Sequence, residues 1–321
     1  MKRLFNTFIT LGMALAGGGT AAAAYPERPV RLVVPYSAGG STDTVSRLIG
    51  ARLTERMGQQ FVIDNRTGAG TLIGTEIVAR AAPDGHTLLM ATPPLAVNPS
   101  LYDKVPYVLE RDFIAVTNVA ASSNLLVVHP SVAASATREL IALLKAHPGK
   151  YNYGSSGVGG AGHLAMALFT SMAGVEAVHV PYKGGAPAVA DLVAGRLALM
   201  MANLTTAQPH IRAGRLRALG IGTQTRSKLF PEVPTIAESG VPGYEANNWN
   251  GVVAPARTPK AVIDRLQREI AAVLKEPAIA ERMAKSALEP IGDSPSDFAR
   301  YLKSEAEKWG KLVKSARIRP E

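Results

Sequence analysis

Cysteine is absent from the 321-residue sequence, which excludes a disulfide framework, a thiolate nucleophile, a Cys-based metal site and acylation at an N-terminal cysteine. Aromatic residues make up only 6% of the chain. Basic residues are dispersed and form no extended run, so no base-stacking surface or recognition helix is predicted. Nucleic acid is therefore not expected as a partner.

The motifs of common catalytic sites are missing as well. The sequence contains no H-E-x-x-H pair, no Walker A loop and no G-x-S-x-G elbow at either serine of Ser155-Ser156. The six histidines are scattered without the spacing of metal ligands. We therefore expect no metal, no cofactor and no enzymatic activity.

The N-terminus has the pattern of a secretory signal. Lys2 and Arg3 precede a mostly apolar run, and small residues end in Ala22-Ala23-Ala24 before Tyr25. The run is too short and too rich in Gly and Ala to span a bilayer of ~30 Å well, and no later segment is long and apolar enough. We expect residues 1–24 to be a cleaved signal peptide and the mature, soluble chain to begin near Tyr25. The alternative is an uncleaved anchor or a buried N-terminal helix.

Charge and length favour a two-domain protein with an anionic partner. The formal net charge of +10 falls by two when Lys2 and Arg3 are removed, and the remaining positive excess suits a negatively charged ligand. Because cysteine is absent, the mature chain depends on its apolar core alone. Hydrophobic residues form 47% of the sequence, and the remaining length of roughly 300 residues suits two domains of ordinary size.

Strand and helix patterns alternate along the chain. A buried strand is predicted from Val30 to Pro35 and a helix after Gly39-Gly40, with Thr42 as its N-cap and Gly58 at its end. The remaining predicted elements are strands 61–63, 87–91, 151–154, 177–180, 197–202, 216–221 and 250–254, and helices 72–82, 138–146, 164–173, 186–194, 208–213, one through 262–273 and one from about Pro295. This alternation predicts α/β architecture with parallel, doubly wound sheets.

A single sheet does not easily hold all these strands, and the irregular composition of residues 93–118 indicates a boundary. We therefore predict two doubly wound α/β lobes joined by a hinge. Lobe I comprises residues 25–121 plus 249–321, and lobe II comprises residues 122–248. The chain is expected to return to lobe I near Trp249.

Glycine-rich loops follow predicted strands and precede predicted helices in both lobes. Such loops leave backbone N–H groups at the positive end of a helix dipole, which attracts anions. They are Pro35–Asp43 and Thr67–Thr71 in lobe I, and Tyr153–His163 and Val180–Gly185 in lobe II. A plain capped turn is the alternative for each loop. Gly157, Gly159 and Gly162 match G-x-G-x-x-G, but the acidic residue expected about 20 positions later is absent, so a carboxylate fits better than a dinucleotide.

Together these motifs resemble the Bug proteins, the extracytoplasmic solute receptors of tripartite tricarboxylate transporters. The residues that carry the resemblance extend over the whole mature chain: Tyr25-Pro26-Glu27-Arg28-Pro29, Pro35-Tyr36, Gly39-Gly40, Asp43, Asn65-Arg66, Gly68-Ala69-Gly70, Pro83-Asp84-Gly85, Asn98-Pro99-Ser100-Leu101-Tyr102, Tyr153-Gly154-Ser155, His163-Leu164-Ala165, Val180-Pro181-Tyr182-Lys183-Gly184, Leu216-Arg217-Ala218-Leu219, Pro231-Glu232-Val233-Pro234-Thr235 and Pro255.

The resemblance implies a monomeric Venus flytrap that closes on a small organic anion: a mono-, di- or tricarboxylate or an aromatic acid. It also implies a location in the periplasm and delivery of the acid to the permease subunits of a membrane transporter. The ligand-binding residues expected from it and from the loops are Tyr36, Ser37, Gly39, Gly40, Asp43, Thr92, Ser155, Ser156, Tyr182, Lys183 and Asn203. Because Asp43 would repel a carboxylate, it is expected to anchor a bridging water or the loop itself.

Two positions depart from the family's pattern. Ala202 stands where an acidic residue is common, which predicts the loss of one contact to a ligand amine or hydroxyl. The loop Ala91–Ala96 is rich in proline and apolar residues, which predicts a stiffer or more apolar wall. Two alternative functions stay open at this point: a sensor that passes its liganded form to a signalling receptor, and a secreted hydrolase with Ser155 or Ser156 as nucleophile.

Overall fold

The computed structural model describes residues 25–227, 229–315 and 318. The signal peptide expected for residues 1–24 lies outside the described residues. Within the described part of the chain, no helix is both long enough and apolar enough to cross a bilayer.

Strands and helices alternate along the described residues as the sequence patterns predicted. The strands are β1 (Val30–Val34), β2 (Phe61–Asn65), β3 (Thr87–Ala91), β4 (Phe113–Val128), β5 (Asn152–Ser155), β6 (Val178–Pro181), β7 (Leu199–Asn203), β8 (Arg217–Ile221), β9 (Asn247–Pro255) and β10 (Leu288–Pro290). The helices are α1 (Ser41–Met57), α2 (Leu72–Ala79), α3 (Pro94–Leu101), α4 (Leu109–Asp112), α5 (Thr137–Ala146), α6 (Ala161–Ala173), α7 (Gly185–Val193), α8 (Leu204–Arg212), α9 (Lys260–Leu274), α10 (Pro277–Lys285) and α11 (Pro295–Ser315).

The strands form two α/β lobes, as predicted. In lobe I, β1 pairs in parallel with β2 and β3; in lobe II, β5 pairs in parallel with β6 and β7. The full strand order is β2-β1-β3-β9-β4-β7-β5-β6, with β8 and β10 also pairing with β4. Each of the loops that lead into α1, α6 and α7 follows a strand. Because the parallel strands of a lobe end at the same edge of the sheet, these loops lie at that carboxyl edge.

The two lobes are joined by the long strand β4. Its residues 113–123 pair antiparallel with β9, whereas residues 124–128 pair with β7 and β8 of the other lobe. The predicted lobe boundary at Ala121 therefore falls inside one continuous strand. β9 pairs with β4 over its whole length, from Asn247 to Pro255. The two segments in which the chain passes between the lobes therefore lie side by side.

The expectation that residues 93–118 are irregular is wrong. It contains α3, α4 and the first part of β4. Pro93 and Pro94 occupy the start of α3, where proline is tolerated because the first N–H groups of a helix need no intrahelical acceptor. Residues of β4 are buried on both faces, so the strand shows no alternation of polar and apolar residues from which to predict it.

The final helix lies along both lobes. Phe298 and Leu302 of α11 belong to a buried cluster of lobe I that also holds Trp249. About two to three turns after Leu302, Trp309 and Val313 belong to the buried cluster that includes Leu126 and other lobe II residues. The predicted apolar face of this helix is thus used for core packing on both sides of the hinge.

A buried carboxylate joins α11 to the hinge. The two tryptophans of the sequence, Trp249 of β9 and Trp309 of α11, both donate their indole N–H to Glu305 Oε2, at 2.9 and 2.8 Å. Glu305 is 6% exposed, so these charge-assisted hydrogen bonds replace most of the hydration of its carboxylate. They fix the helix against the crossing strand β9.

Replacing Glu305 with Gln should lower the free energy of unfolding by about 1–3 kcal/mol, because an amide offers a weaker acceptor to two indole donors and turns a donor group toward them. Urea denaturation followed by tryptophan fluorescence measures this. Glu307→Gln is the matched control, since Glu307 is exposed on the same helix. Equal losses in the two variants would contradict a structural role for the buried carboxylate.

Candidate functional site

A cleft of about 510 Å³, part of it open to solvent, lies between the lobes beside the crossing strands. We call it the main cleft. Its lining residues come from the strand-to-helix loops of both lobes and from the strands of the hinge: Tyr36, Gly40, Ser41, Thr42, Thr92, Asn124, Ser156, Ala161, Gly162, Gly185, Met200, Met201, Asn203, Thr206 and Asn248.

Three glycine-capped helix N-termini reach the main cleft. They belong to α1, α6 and α7, whose N-cap residues are Gly40, Gly160 and Gly184, and none of these caps makes a side-chain hydrogen bond. The prediction of Thr42 as the N-cap of α1 is wrong, because the N-cap is Gly40, two residues earlier, and Thr42 lies within the first turn. A glycine cap leaves the first backbone N–H groups without a side-chain acceptor and gives an anion close access to them.

The main cleft is uncharged but polar. Every residue in its lining is neutral. The hydroxyl of Tyr36 lies 3.2 Å from Thr92 Oγ1, and burial raises the pKa of Tyr36 to about 12. The hydroxyl therefore keeps its proton at neutral pH and can donate to an anion. Attraction for an anion comes from helix ends and hydroxyl groups rather than from a cationic side chain.

Asp43 was predicted among the ligand-binding residues, and its carboxylate is turned toward its own loop. It accepts hydrogen bonds from Gly39 N at 2.9 Å, Arg47 Nε at 2.9 Å and Asn65 Nδ2 at 3.1 Å. Burial acts to raise the pKa of Asp43, but these hydrogen bonds outweigh it and hold the pKa below its ordinary value. Asp43 does not line the main cleft; it holds the loop that does.

Ser37 and Gly39 lie at the contact between the lobes rather than in the lining of the main cleft. Ser37 N donates to Lys183 O of lobe II at 3.1 Å. Gly39 has a φ of +83°, and a Cβ there would come within 3.9 Å of Ala186 Cβ. The lobes are therefore closed, with the first-lobe loop touching the loop before α7.

Tyr182 and Lys183 line a second chamber next to the main cleft, which we call the side chamber. Its lining residues are Pro35, Tyr36, Gly68, Ala69, Gly70, Thr71, Ser156, Gly157, Val158, Pro181, Tyr182 and Lys183. Tyr182 donates its hydroxyl to Asp191 Oδ2 at 2.7 Å, while Lys183 is exposed. Neither residue lines the main cleft.

Of the serine pair predicted in lobe II, Ser156 lines the main cleft and Ser155 does not. Ser155 is 0% exposed, and its Oγ lies 2.6 Å from His179 Nε2. His163 stacks on the same imidazole with ring centroids 4.1 Å apart. Burial lowers the pKa of His163 to about 4, and burial together with the charge of His163 lowers the pKa of His179 to about 3.

This serine–histidine pair is unsuited to hydrolysis. The serine is closed off from the cleft, and an imidazole with a pKa near 3 is a weak general base at neutral pH. Ser155 Oγ also accepts from Gly157 N at 3.1 Å, and His163 Nδ1 accepts from Gly159 N at 3.0 Å. The pair instead shapes the loop that presents Ser156 and the N-terminus of α6.

Sequence reasoning missed the residues that the hinge contributes. Asn124 and Asn248 lie on β4 and β9, and Asn248 Nδ2 donates to Ser122 Oγ at 3.3 Å. The predicted Asn203 donates to the same hydroxyl at 2.6 Å. Only the pairing of β4 with β7 and β9, strands far apart in the sequence, brings these amides together. Gly185, Ala161 and Gly162 could have been found, since the loops before their helices had been recognised.

Two expectations concerned the wall of the main cleft. Ala202 is 0% exposed in a core cluster of lobe II and does not line the cleft; the loss of a ligand contact at this position stays a prediction. In the loop Ala91–Ala96 only Thr92 lines the main cleft. Among the lining residues, the apolar wall comes instead from Met200 and Met201, because both lie on β7 where it reaches the hinge.

Residues 45–318 match the model of a family described as "Tripartite tricarboxylate transporter family receptor". The "UPF0065 protein in tcbD-tcbE intergenic region" of Pseudomonas sp. (strain P51) is 43% identical over 92% of this chain and 88% of its own length. BugT of Bordetella pertussis is 37% identical over 95% of each chain. Both similarities extend over nearly the whole sequence.

Solved structures agree with these matches. Rpa4515 of R. palustris, solved with adipate, has a TM-score of 0.89 and 40% identity over 92% of this chain and 100% of its own. The periplasmic binding protein BugD has a TM-score of 0.88 and 33% identity over 92% and 100% of the two chains. MatC of Rhodopseudomonas palustris, with bound malate, has a TM-score of 0.86 and 30% identity over 90% and 100%.

The buried histidines predict a loss of stability in acid. The pKa of His163 is about 4 in the folded protein and about 6.5 in an unfolded chain. Between these values the unfolded chain binds more protons, so the free energy of unfolding should fall as the pH drops from about 6.5 to about 4, by up to ~1.4 kcal/mol per pH unit for this group.

Urea denaturation at a series of pH values measures this slope. His163→Gln should flatten it, and His147→Gln, on the surface of the same lobe, should leave it as in the wild type. An unchanged slope in the His163 variant would contradict the assignment.

Proposed function

Because the chain belongs to the tripartite tricarboxylate transporter receptor family, as the resemblance to Bug proteins predicted, we propose that it is a periplasmic binding protein for a small organic carboxylate. It captures the acid between its two lobes and presents it to a membrane transporter of the tripartite tricarboxylate type. The cleaved signal peptide predicted for residues 1–24 is consistent with this location.

The observation that carries the proposal is the set of glycine-capped helix N-termini from both lobes at one neutral cleft. A carboxylate at the ends of α1 and α6 accepts hydrogen bonds from backbone N–H groups and is favoured by both helix dipoles. Tyr36 and Ser156 add hydroxyl donors from opposite lobes. The relatives solved with adipate and malate support an acid of similar size.

Binding and closure are coupled in this proposal. The residues of the main cleft come from both lobes, so an acid in the cleft gains its full set of contacts only when the lobes are closed. A ligand that prefers one state shifts the population toward it. The transporter then recognises the closed, loaded form.

The family is one of receptors rather than enzymes, and the buried Ser155–His179 pair gives no support to the hydrolase alternative. Reversible binding requires only that the cleft opens and closes. The chemistry of the site is therefore the exchange of hydration for backbone and hydroxyl hydrogen bonds, with no bond made or broken in the acid.

A thermal-shift screen tests the proposal. The panel should contain mono-, di- and tricarboxylates and aromatic acids, with neutral sugars and cations as controls. An acid present at about 100 times its Kd should add about 2.7 kcal/mol of stability and raise the melting temperature. If sugars or cations raise it and no acid does, the carboxylate assignment is wrong.

Replacing Gly185 with Leu should abolish the shift without unfolding the protein. A Cβ on Gly185 meets no atom within 4 Å, and the residue lines the main cleft, so the new side chain fills space that the acid needs. The melting temperature without ligand should stay near that of the wild type. Ala213→Leu, on the exposed surface of lobe II, is the control and should bind normally. Normal binding by the Gly185 variant would refute the site.

A further inference from the structure

A large groove lies between the lobes on the back of the hinge. Its volume is about 1450 Å³, part of it open to solvent, and we call it the rear groove. Its lobe II wall includes the loop after β8, residues 223–227. Its lobe I wall includes Ala284 of α10 and residues 287–290. The strands of the hinge form its floor.

The rear groove and the main cleft lie on opposite faces of the same strands. In three pairs of adjacent residues, the first lines the main cleft and the second lines the rear groove: Asn124 and Ser123 of β4, Asn248 and Asn247 of β9, and Asn203 and Leu204 where β7 passes into α8. Successive side chains of a strand point to opposite faces. A bend of the hinge that widens the main cleft on one face therefore narrows the rear groove on the other.

The lobes also touch each other on this rear side. Thr205 Oγ1 of α8 donates to Ser286 O at 2.6 Å, and Gln208 Nε2 donates to Lys285 O at 2.8 Å. α8 packs into a core cluster of lobe II, whereas α10 packs into the core of lobe I. Both hydrogen bonds therefore cross between the lobes. We call residues 285–288, which connect α10 to β10, the corner.

The backbone of the corner is held in a strained conformation. Ala287 has a φ of +56°, and its side chain packs against the core cluster of lobe II. Such a conformation persists only where the surrounding structure enforces it. The bond from Thr205 fixes the residue before Ala287, and the pairing of Leu288 with β4 fixes the residue after it. The corner thus meets α8 in one defined geometry while the lobes are closed.

We propose that the corner and the rear groove set the balance between the closed and open states of the lobes. The bonds from α8 to the corner stabilise the closed state, and the rear groove is the space into which its walls move when the main cleft opens. Thr205 and Ala284 are then positioning residues. Neither lines the main cleft, so they act on an acid there only through the angle between the lobes.

The consequence for affinity rests on the proposed function. An acid that gains its full contacts only in the closed state binds with an apparent affinity that rises with the population of that state. Changes on the back of the hinge should therefore alter the affinity of a cleft that they do not touch.

Two substitutions should shift the balance in opposite directions. Ala284→Trp extends a large side chain into the rear groove from an exposed helical position, which obstructs the approach of the walls and favours the closed state. Thr205→Val keeps the side-chain shape but removes the donor to Ser286 O, which favours the open state. The matched controls are Ala278→Trp, exposed on the same helix but outside the groove lining, and Thr170→Val, which removes a hydroxyl bond within α6 alone.

The distance between the lobes measures the balance directly. Because the sequence contains no cysteine, spin labels can be attached at Ala51→Cys of α1 and Ser171→Cys of α6, both exposed positions. Pulsed electron paramagnetic resonance on the mature protein without added acid then gives the ratio of closed to open molecules. Thr205→Val should lower this ratio by roughly two- to tenfold, the value of one intramolecular hydrogen bond, and Ala284→Trp should raise it.

Calorimetric titration with adipate, the acid in the structure of a relative, gives the second readout. Its affinity should rise in Ala284→Trp and fall in Thr205→Val, and both controls should match the wild type. A merely structural role would lower the melting temperature and leave the distances unchanged.

If either variant keeps the wild-type distances, or both shift them in the same direction, the inference is overturned while carboxylate binding stands. Controls that shift the distances as far as the variants do would overturn it as well. If the distances shift as expected but the wild type binds no carboxylate, the proposed function fails and the role of the corner in closure stands.

Discussion

The antiparallel pairing of β4 with β9 is the constraint on which the rest of the molecule depends. The ladder runs from Phe113 paired with Pro255 to Ser123 paired with Asn247, and beyond it β4 continues into the sheet of lobe II. Both chain crossings lie in this ladder, so the lobes can change their relative angle only by bending it. The main cleft lies directly beside it, with Asn124 and Asn248 in its wall. A small bend in these strands therefore opens or closes the main cleft.

Contacts around the ladder limit how it bends. Glu305 ties Trp249 of β9 to Trp309 of α11, and α11 packs into clusters of both lobes. On the strand itself, a Cβ on Gly251 would collide with the ring of Phe298, so α11 packs directly on the backbone of β9. The hinge is supported along one side by a helix rather than left as two free strands.

In the proposed function, an anion binds in the main cleft without a cationic side chain, and this arrangement has a physical advantage. A buried lysine or arginine must give up its own hydration, and without a bound acid its charge would be left unpaired. Helix N-termini avoid this cost because their partial charges are fixed by the backbone. In each lobe, polar side chains outside the cleft hold the loop in place through hydrogen bonds. Asp43 holds the loop of lobe I through Gly39, Arg47 and Asn65, and the stacked His163 and His179 with Ser155 hold that of lobe II. Of these groups, Ser155 was predicted as a ligand contact, and Asp43 was predicted to anchor a bridging water or its own loop; in the structure both bond to the backbone of their own loops.

The sequence by itself determined the α/β class, the two lobes, the glycine-rich loops at strand ends and the family. These features follow from local sequence patterns: strand and helix periodicity, glycine at helix starts, and motifs along the whole chain. Tertiary structure alone decided that Ser155 is sealed in lobe II while Ser156 faces the cleft, because adjacent residues at a strand end point to opposite sides. It also decided that Asn124 and Asn248 both line the main cleft beside the hinge and that Ala202 lies in the core. The last two facts depend on the register of β4 with β9 and β7. Strand register places residues side by side that are far apart in the chain, so no local sequence pattern predicts it.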